Sequence, residues 1–573
     1  MNKGNMIGLG VMAAASAVVV AATGPVYESV KQQQLDAAAG GMETTVVTGE
    51  GAGYGSTPIR AEVTLAGDKI IALNLTGEGE TPEIGGTAME TLKEAILAAG
   101  TTDGVDAVSG ATWTSNGVFE AVNAAMGIET EAEEETEEEV VSMEASGLSH
   151  GLGFYSTGRV GPGKDDQETG VYSFNEVVAY ALFDNEGRIM DLEIDQLEVA
   201  TPNYDGASMP DFTGFPGQSY NKDEDHDGTV DAVAEQTDEA FLAEVGSWKT
   251  KRERGADYKM GTGIWADQMD IFENLFKGMT VEEVKTWYEE NCSDVNGRPL
   301  HGTSDKEEDI AKYETLSDEA KAELDAVSGA TMSLNDSHGN IVGAIERAYE
   351  NRVAVDAEKV SKIGLGFTNT GRVGPGKDDQ EVGVYSFNTQ AVGAAYDADG
   401  KLLALYTDVM EVATPNYDGA DMPNLTGFPN QNYNADEDHD GTVDALAGQT
   451  EESFLEQVES WKTKRERGDS YKLGAGTWAD EMDIFQNYFV GMTADEVSSW
   501  FDKYCSDLNG RPLFGTSEKE EDIAKYEALT DEEKAGLDAV SGATMSPKDP
   551  HGDILGAILN SWENAKDTDI TVK

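Results

Sequence analysis

The chain has 573 residues, 39% of them apolar, which is room for several packed cores and rules out a polymer disordered throughout. Its 109 acidic against 40 basic residues leave a net charge of −69, a surface that repels phosphate backbones and excludes nucleic acid as a partner. Two cysteines, Cys292 and Cys505, are too few for a disulfide framework, a CxxC zinc site, an iron–sulfur cluster or a CxxCH haem, so any redox group is held in another way.

In chain order, residues 1–24 carry Lys3 and then an uncharged apolar run of 19 residues, Met6–Gly24. That is long for a signal core and just long enough to span a bilayer. As a cleaved signal or a retained anchor, it places the rest outside the cytoplasm, at the cell envelope. No A-x-A site ends the run, which favours contact with the membrane through this segment. Residues 25–45, polar and rich in Ala and Gln, read as a stalk.

Residues 46–128 read as a small domain. Ile59, Ala61, Val63 and Leu65 alternate, as do Ile71, Leu73 and Leu75, around Gly67–Asp68, which predicts a hairpin with one buried face. A helix follows with Met89, Leu92, Ile96 and Ala99 on one face and Gly100 at its end, and a second carries Val118, Val122 and Ala125. The run ETEAEEETEEE, Glu129–Glu139, opens a solvated linker, 129–147.

A long repeat comes next. Gly151 recurs at Gly364 and Asp325 at Asp538, both 213 residues on, which predicts two enlarged units, 148–353 and 361–573, joined by 354–360. In each, strands flank a turn such as Asp184–Gly187. Met269, Phe272 and Phe276 line a helix that Gly278 ends, and Thr280 with Glu283, like Thr493 with Glu496, forms a capping box. The fold class is α+β: three domains of antiparallel strands packed on helices, the last two enlarged tandem repeats.

The heptapeptide DAVSGAT occurs three times, at 106–112, 325–331 and 538–544. It reads as a tight turn entering a helix. Gly110, Gly329 and Gly542 permit a backbone that a side chain would block. Thr112, Thr331 and Thr544 are then expected at the helix start, where free N–H groups and the dipole favour an anion. Either a phosphate is held there, or the threonine is only an N-cap worth about 1 kcal/mol.

The pattern D-x-x-S-G-A-T after a hairpin and helix resembles the flavinylation motif of the FMN-binding domain family. That family includes the covalent-flavin subunits of sodium-pumping NADH:quinone oxidoreductases and Rnf complexes, and extracellular multi-flavin carriers. The resemblance covers about 46–128, with the loop Glu80–Gly86, and 148–353 and 361–566 as enlarged versions. It implies FMN bound covalently through a threonine phosphoester, installed from FAD by a flavin transferase. By matching position the three acceptors are Thr112, Thr331 and Thr544. The attachment turns are Asp106, Ser109, Gly110 and Ala111; Asp325, Ser328, Gly329 and Ala330; and Asp538, Ser541, Gly542 and Ala543. It further implies an electron carrier, fed by a membrane redox complex or a quinone-linked donor and discharging to an extracellular acceptor. The flavin would supply the chemistry and the protein its retention and tuning. Gly51–Ser56 is glycine-rich but has no strand-to-helix context, so it is not a nicotinamide fingerprint.

Other stretches carry two readings each. Asp223, Asp225, Asp227 and Asp231, repeated as Asp436, Asp438, Asp440 and Asp444, have the spacing of an EF-hand loop, but the twelfth position is Ala234 or Ala447 rather than Glu. The alternatives are a weak calcium site or a bare acidic loop. Arg159, Lys164, Lys251 and Arg252 concentrate rare positive charge, either for a flavin or for internal ion pairs. Trp113, Met332 and Met545 follow the acceptors, and His338 and His551 lie seven residues beyond; each is a flavin contact or ordinary packing. Cys292 and Cys505 read as buried free thiols. Two rival functions remain beside the carrier: a flavin-dependent terminal reductase with a pocket built from the insertions, and a non-redox, calcium-stabilised surface repeat protein.

Overall fold

The structure, a computed structural model, describes residues 42–127 and 142–573, apart from 43, 53–56, 68, 78–84, 103–104, 106–107, 109–111, 207, 261–262, 420 and 473–475. The N-terminal apolar run, most of the expected stalk, the acidic run and most of the first DAVSGAT copy lie outside the described residues. Among those described, no helix is long and apolar enough to cross a membrane. The chain divides into two compact units, 1–139 and 140–573.

In the first unit, strands Thr44–Gly51, Ile59–Ala66 and Lys69–Thr76 form an antiparallel sheet in that order. Helices Gly85–Ala99 and Thr112–Met126 pack on it. The predicted hairpin and both helices are present, with Leu92, Ile96, Val118 and Val122 in the core beside Ile59, Val63 and Leu73. Gly100 ends the first helix at φ +78°. The first strand was not foreseen; its glycines explain how it is covered. A Cβ on Gly49 or Gly51 would run into the carbonyls of Ala121 and Gly117, so only glycine lets the second helix lie against this strand.

The same device recurs in the second unit. Gly151 and Gly153 meet the carbonyls of Ala348 and Ala344 on helix Ile341–Glu350. Gly364 and Gly366 meet those of Ser561 and Ala557 on helix Ile554–Glu563.

That unit holds two large antiparallel layers. One runs Val353–Val355, Leu148–Lys164, Gly170–Phe183, Ile189–Ala200; the other runs Leu402–Ala413, Gly383–Tyr396, Lys359–Lys377, Lys566–Val572, with Met143–Ala145 added in parallel beside the last strand. Every residue of Gly170–Phe183 is buried, because this strand is covered on both faces. Val177, Ala179 and Ala181 face helices of their own half, including Trp265–Phe276; Phe174, Val178 and Tyr180 face the other sheet.

The core between the sheets is shared, and its contacts are reciprocal. Gln218 donates to the Thr426 carbonyl at 2.7 Å and Gln431 to the Thr213 carbonyl at 2.8 Å. The Tyr172 hydroxyl donates to Glu451 at 3.0 Å and the Tyr385 hydroxyl to Asp238 at 2.9 Å. These four hydrogen bonds form two pairs, the members of each related by 213 residues, the signature of an isologous interface closed within one chain. The strands around Asp184–Gly187, the helix lined by Met269, Phe272 and Phe276, and both capping boxes stand as predicted.

One expectation is corrected. Thr112 does begin a helix, but Thr331 and Thr544 do not. A small hairpin intervenes (Asn335–Asp336 with Gly339–Asn340; Lys548–Asp549 with Gly552–Asp553), and the helices start at Ile341 and Ile554, capped by the side chains of Asn340 and Asp553. In these copies DAVSGAT terminates a helix: Asp318–Ala326 in one, Asp531–Leu537 followed by a 3-10 turn in the other. The anion-binding helix N-terminus expected at Thr331 and Thr544 is therefore absent.

Candidate functional site

Each half of the second unit has a cleft at the end of its DAVSGAT turn. One is lined by Lys251, Tyr258, Trp265, Arg298, Met332, Asp336 and His338 with about 510 Å³ of empty space; the other by their counterparts Lys464, Tyr471, Trp478, Arg511, Met545, Asp549 and His551, with Thr544 and about 740 Å³. That space includes the solvent-open mouth of each cleft.

The lysine comes from a one-turn helix, Lys251–Arg254 or Lys464–Arg467, whose start is held by a capping box on Thr250 or Thr463. Trp265 and Trp478 open the helices whose inner faces form the core of each half. The histidine sits in the small hairpin, its Nδ1 3.1 Å from Asp336 in one cleft and from Asp549 in the other. Burial works to raise the Asp336 carboxyl, but the His338 hydrogen bond and charge hold it below the usual range; His551 does the same to Asp549.

Beneath each cleft lies a buried ion pair. Lys251 Nζ is 3.0 Å from Glu198, which also has Arg159 at 3.7 Å; Lys464 is 3.0 Å from Glu411, with Arg372 at 3.8 Å. Burial opposes the charge on Glu198 and Glu411, and the lysine, then the cleft histidine, more than offset it, so both carboxyls fall below their usual range. Burial likewise opposes the Lys251 charge, and Glu198 carries it above the ordinary value. Arg254 and Arg467 stack on Tyr258 and Tyr471 at 4.0 and 4.1 Å, fixing those rings. Arg298 and Arg511, in contrast, are exposed at the cleft and form no ion pair among the described residues, although carboxylates outnumber basic groups throughout the chain.

The two internal motifs present themselves alike. Asp325, Ser328 and Gly329, like Asp538, Ser541 and Gly542, are exposed, while Val327 and Ala330, or Val540 and Ala543, anchor the turn in the core. Thr331 and Thr544 are half-buried. In the first copy, Asp106, Ser109, Gly110 and Ala111 lie outside the described residues; Thr112 is the first residue of its helix. Met332 and Met545 do reach the clefts.

The basic stretches separate into roles. Lys251 faces the cleft. Arg252 is spent on Asp270, Glu273 and the Ile194 carbonyl, at 2.8, 2.6 and 2.7 Å, and Lys164 lies at the surface, 3.9 Å from Glu168. The acidic loops sit in hairpins between short strands, Ser219–Lys222 with Ala232–Glu235 and Asn432–Ala435 with Ala445–Gly448, not between helices. Asp223, Asp225 and Asp227 bring carboxylate oxygens within 4.8 Å of one another, as do Asp436, Asp438 and Asp444. Asp231 and Asp440 are not part of those groups; Asp231 accepts the Glu224 amide and Asp440 that of Thr442, each at 2.9 Å. Cys292 and Cys505 are free and buried, as expected.

Tyr258, Trp265 and Arg298, with their counterparts Tyr471, Trp478 and Arg511, were not singled out by sequence reasoning. Only the 213-residue periodicity marked them, and it marks every other residue of the repeat equally.

The chemistry of the lining residues suits a flavin mononucleotide. The clefts pair flat aromatic walls with unpaired cationic charge for a phosphate. They also hold buried polar atoms without partners among the described residues: Gln390 Oε1 in one and Trp265 Nε1 in the other.

Residues 53–127 match the FMN-binding domain family, which bears out the resemblance for the first of the three stretches. Over 195 residues the chain is 33% identical to a chlorophenol reductase of Desulfitobacterium hafniense, covering 32% of this chain and 52% of that protein. The chain thus spans about half the length of the curated relative it matches.

Proposed function

We propose that the chain is an extracytoplasmic electron-transfer flavoprotein with three FMN-binding-type domains, 46–128, 148–353 and 361–573, each carrying FMN on a threonine: Thr112, Thr331 and Thr544. The observation that carries this reading is the pair of clefts. Each is built from the same aromatic, lysine, arginine and histidine residues at the foot of an exposed DAVSGAT turn. The family match of residues 53–127 supports the same cofactor in the first unit.

Bound FMN would supply two-electron uptake and single-electron release. The chain's own residues would do the rest. Trp265 and Trp478 wall the ring, Arg298 and Arg511 hold the phosphate, and the Lys251 and Lys464 ammonium groups, fixed by Glu198 and Glu411, set a positive field that favours the reduced, anionic ring. A flavin transferase would load the threonines. A membrane redox complex or quinone-linked donor would supply electrons, and an extracellular acceptor would take them, with residues 1–24 fixing the chain at the envelope.

A second reading, a flavin-dependent reductase of a small acceptor, is favoured by the reductase name of the matched relative and by the open space in the clefts. Calcium at the acidic loops is a separate matter. Three converging carboxylates support it and the absent twelfth ligand opposes it; melting with and without chelator decides.

The deciding experiment is the intact mass of the protein from its native host. Three increments of FMN minus water, one lost in each of Thr112→Val, Thr331→Val and Thr544→Val, support the carrier. An unmodified mass from a host that has the transferase overturns it.

A further inference from the structure

The two internal threonines differ in one partner. Thr544 donates its amide to Glu481 at 2.7 Å and its hydroxyl to the same carboxylate at 3.1 and 3.2 Å. Thr331 donates its amide and hydroxyl to Gln268 Oε1 at 2.9 and 3.3 Å. Positions 268 and 481 are equivalent, one turn into the helices that begin at Trp265 and Trp478, and both side chains are 1% exposed. Glu481 forms no ion pair among the described residues; there its carboxylate bonds only to Thr544. Gln268 can accept a hydrogen bond but not a proton, and its Nε2 lacks a partner.

We propose that Glu481 is a built-in general base for loading FMN onto Thr544, and that Thr331, whose partner at the equivalent position is the neutral Gln268, is loaded more slowly. This rests on the covalent-FMN reading above. The step is a phosphoryl transfer from FAD presented by the transferase. Thr544 Oγ attacks the phosphorus of the FMN half while its proton passes to the Glu481 carboxylate. The Oγ–P bond forms as the P–O bond to the AMP half breaks, and AMP leaves; nothing is oxidised or reduced. A hydroxyl hydrogen-bonded to a carboxylate is the geometry of an activated nucleophile. The transferred proton also leaves Glu481 neutral beside the new phosphodiester, avoiding two adjacent anions in a buried place. The exposed Asp538, Ser541 and Gly542 leave the turn open to an enzyme.

The test uses the full chain made in a host without transferase, then treated with purified transferase and FAD, with FMN on each threonine followed by peptide mass over time. Thr544 is expected to load faster than Thr331. Glu481→Gln should slow Thr544 by roughly 100-fold, the lower end of what a positioned base contributes, and leave Thr331 unchanged. A distorted turn could cause that loss, so the decisive variant is Gln268→Glu, which should speed Thr331, a gain no folding defect produces. Equal rates at the two threonines, an unaffected Glu481→Gln, or no gain in Gln268→Glu would overturn the proposal while FMN on both threonines left the cofactor reading standing. No FMN on any threonine would overturn both.

Discussion

Phe174 and Phe387 occupy equivalent positions in the two halves of the second unit and stack on each other, ring centroids 5.4 Å apart and 9° from parallel. Trp248 and Trp461, also equivalent, each meet both rings edge-on at 5.4–5.9 Å. The centre of the unit is therefore an aromatic cluster to which both halves contribute equally, and neither half can bury it alone.

Truncating this cluster should weaken both halves together. Phe174→Ala is expected to cost about 3–5 kcal/mol. A double-mutant cycle with Phe387→Ala should give a coupling of about 0.5–1.5 kcal/mol beyond the separate losses. Urea unfolding followed by tryptophan fluorescence and by circular dichroism checks both; non-coincident transitions with zero coupling would mean the halves fold separately.

Glu176 lies at 0% exposure between the sheets, with no ion-pair partner among the described residues. Burial pushes its carboxyl up to about 8, against a smaller pull from the Thr389 hydroxyl. Below the ordinary value of 4.5 the folded and unfolded states are both protonated. Between 4.5 and about 8 only the unfolded state ionises, so stability falls as pH rises. Glu176→Gln should therefore raise the melting temperature at pH 8 by more than at pH 4.

The buried Glu411 has the opposite sign. Its lowered folded-state value gives stability that is present in full above the ordinary 4.5 and lost as pH falls through the folded value. Glu411→Gln leaves Lys464 buried without its anion and should cost about 3–5 kcal/mol at pH 7, with a smaller penalty under acid where the wild-type pair has itself been lost. Denaturant titrations at pH 7 and pH 3 measure the difference.

Arg511 is exposed and has no carboxylate partner among the described residues, so Arg511→Ala should change stability by no more than about 0.5 kcal/mol. If its charge serves a phosphate, the same change weakens binding of free FMN to the unloaded chain about tenfold, or about 1.4 kcal/mol. Fluorescence titration against riboflavin, which lacks the phosphate, isolates that contribution.

Burial pushes the Cys292 thiol up to about 12 and raises that of Cys505 as well. Neither should react with iodoacetamide in the native protein at pH 8, and both should react once it is unfolded.

What was legible in the sequence was local. Alternation gave the hairpin of the first unit, 3.6-residue spacing gave the helix of Met269, Phe272 and Phe276, and the Thr–Glu pairs gave the capping boxes. Strand Leu148–Lys164 was missed because its glycines and basic residues imitate a loop, and its glycines make sense only once a helix is seen lying on them. The helix placed directly after Thr331 and Thr544 was wrong although a warning was printed in the third copy: Pro547 and Pro550 interrupt any helix beginning at Thr544. The clefts themselves join residues more than 80 positions apart, such as Lys464 and His551, and no local pattern reveals that meeting.

The interface around Phe174 and Phe387 has the form of a homodimer contact, yet its partners share one polypeptide. An ordinary dimer dissociates when diluted; here the covalent connection holds each half near the other at an effective concentration on the order of millimolar, whatever the surroundings. Both clefts therefore stay assembled in fixed relation through any dilution.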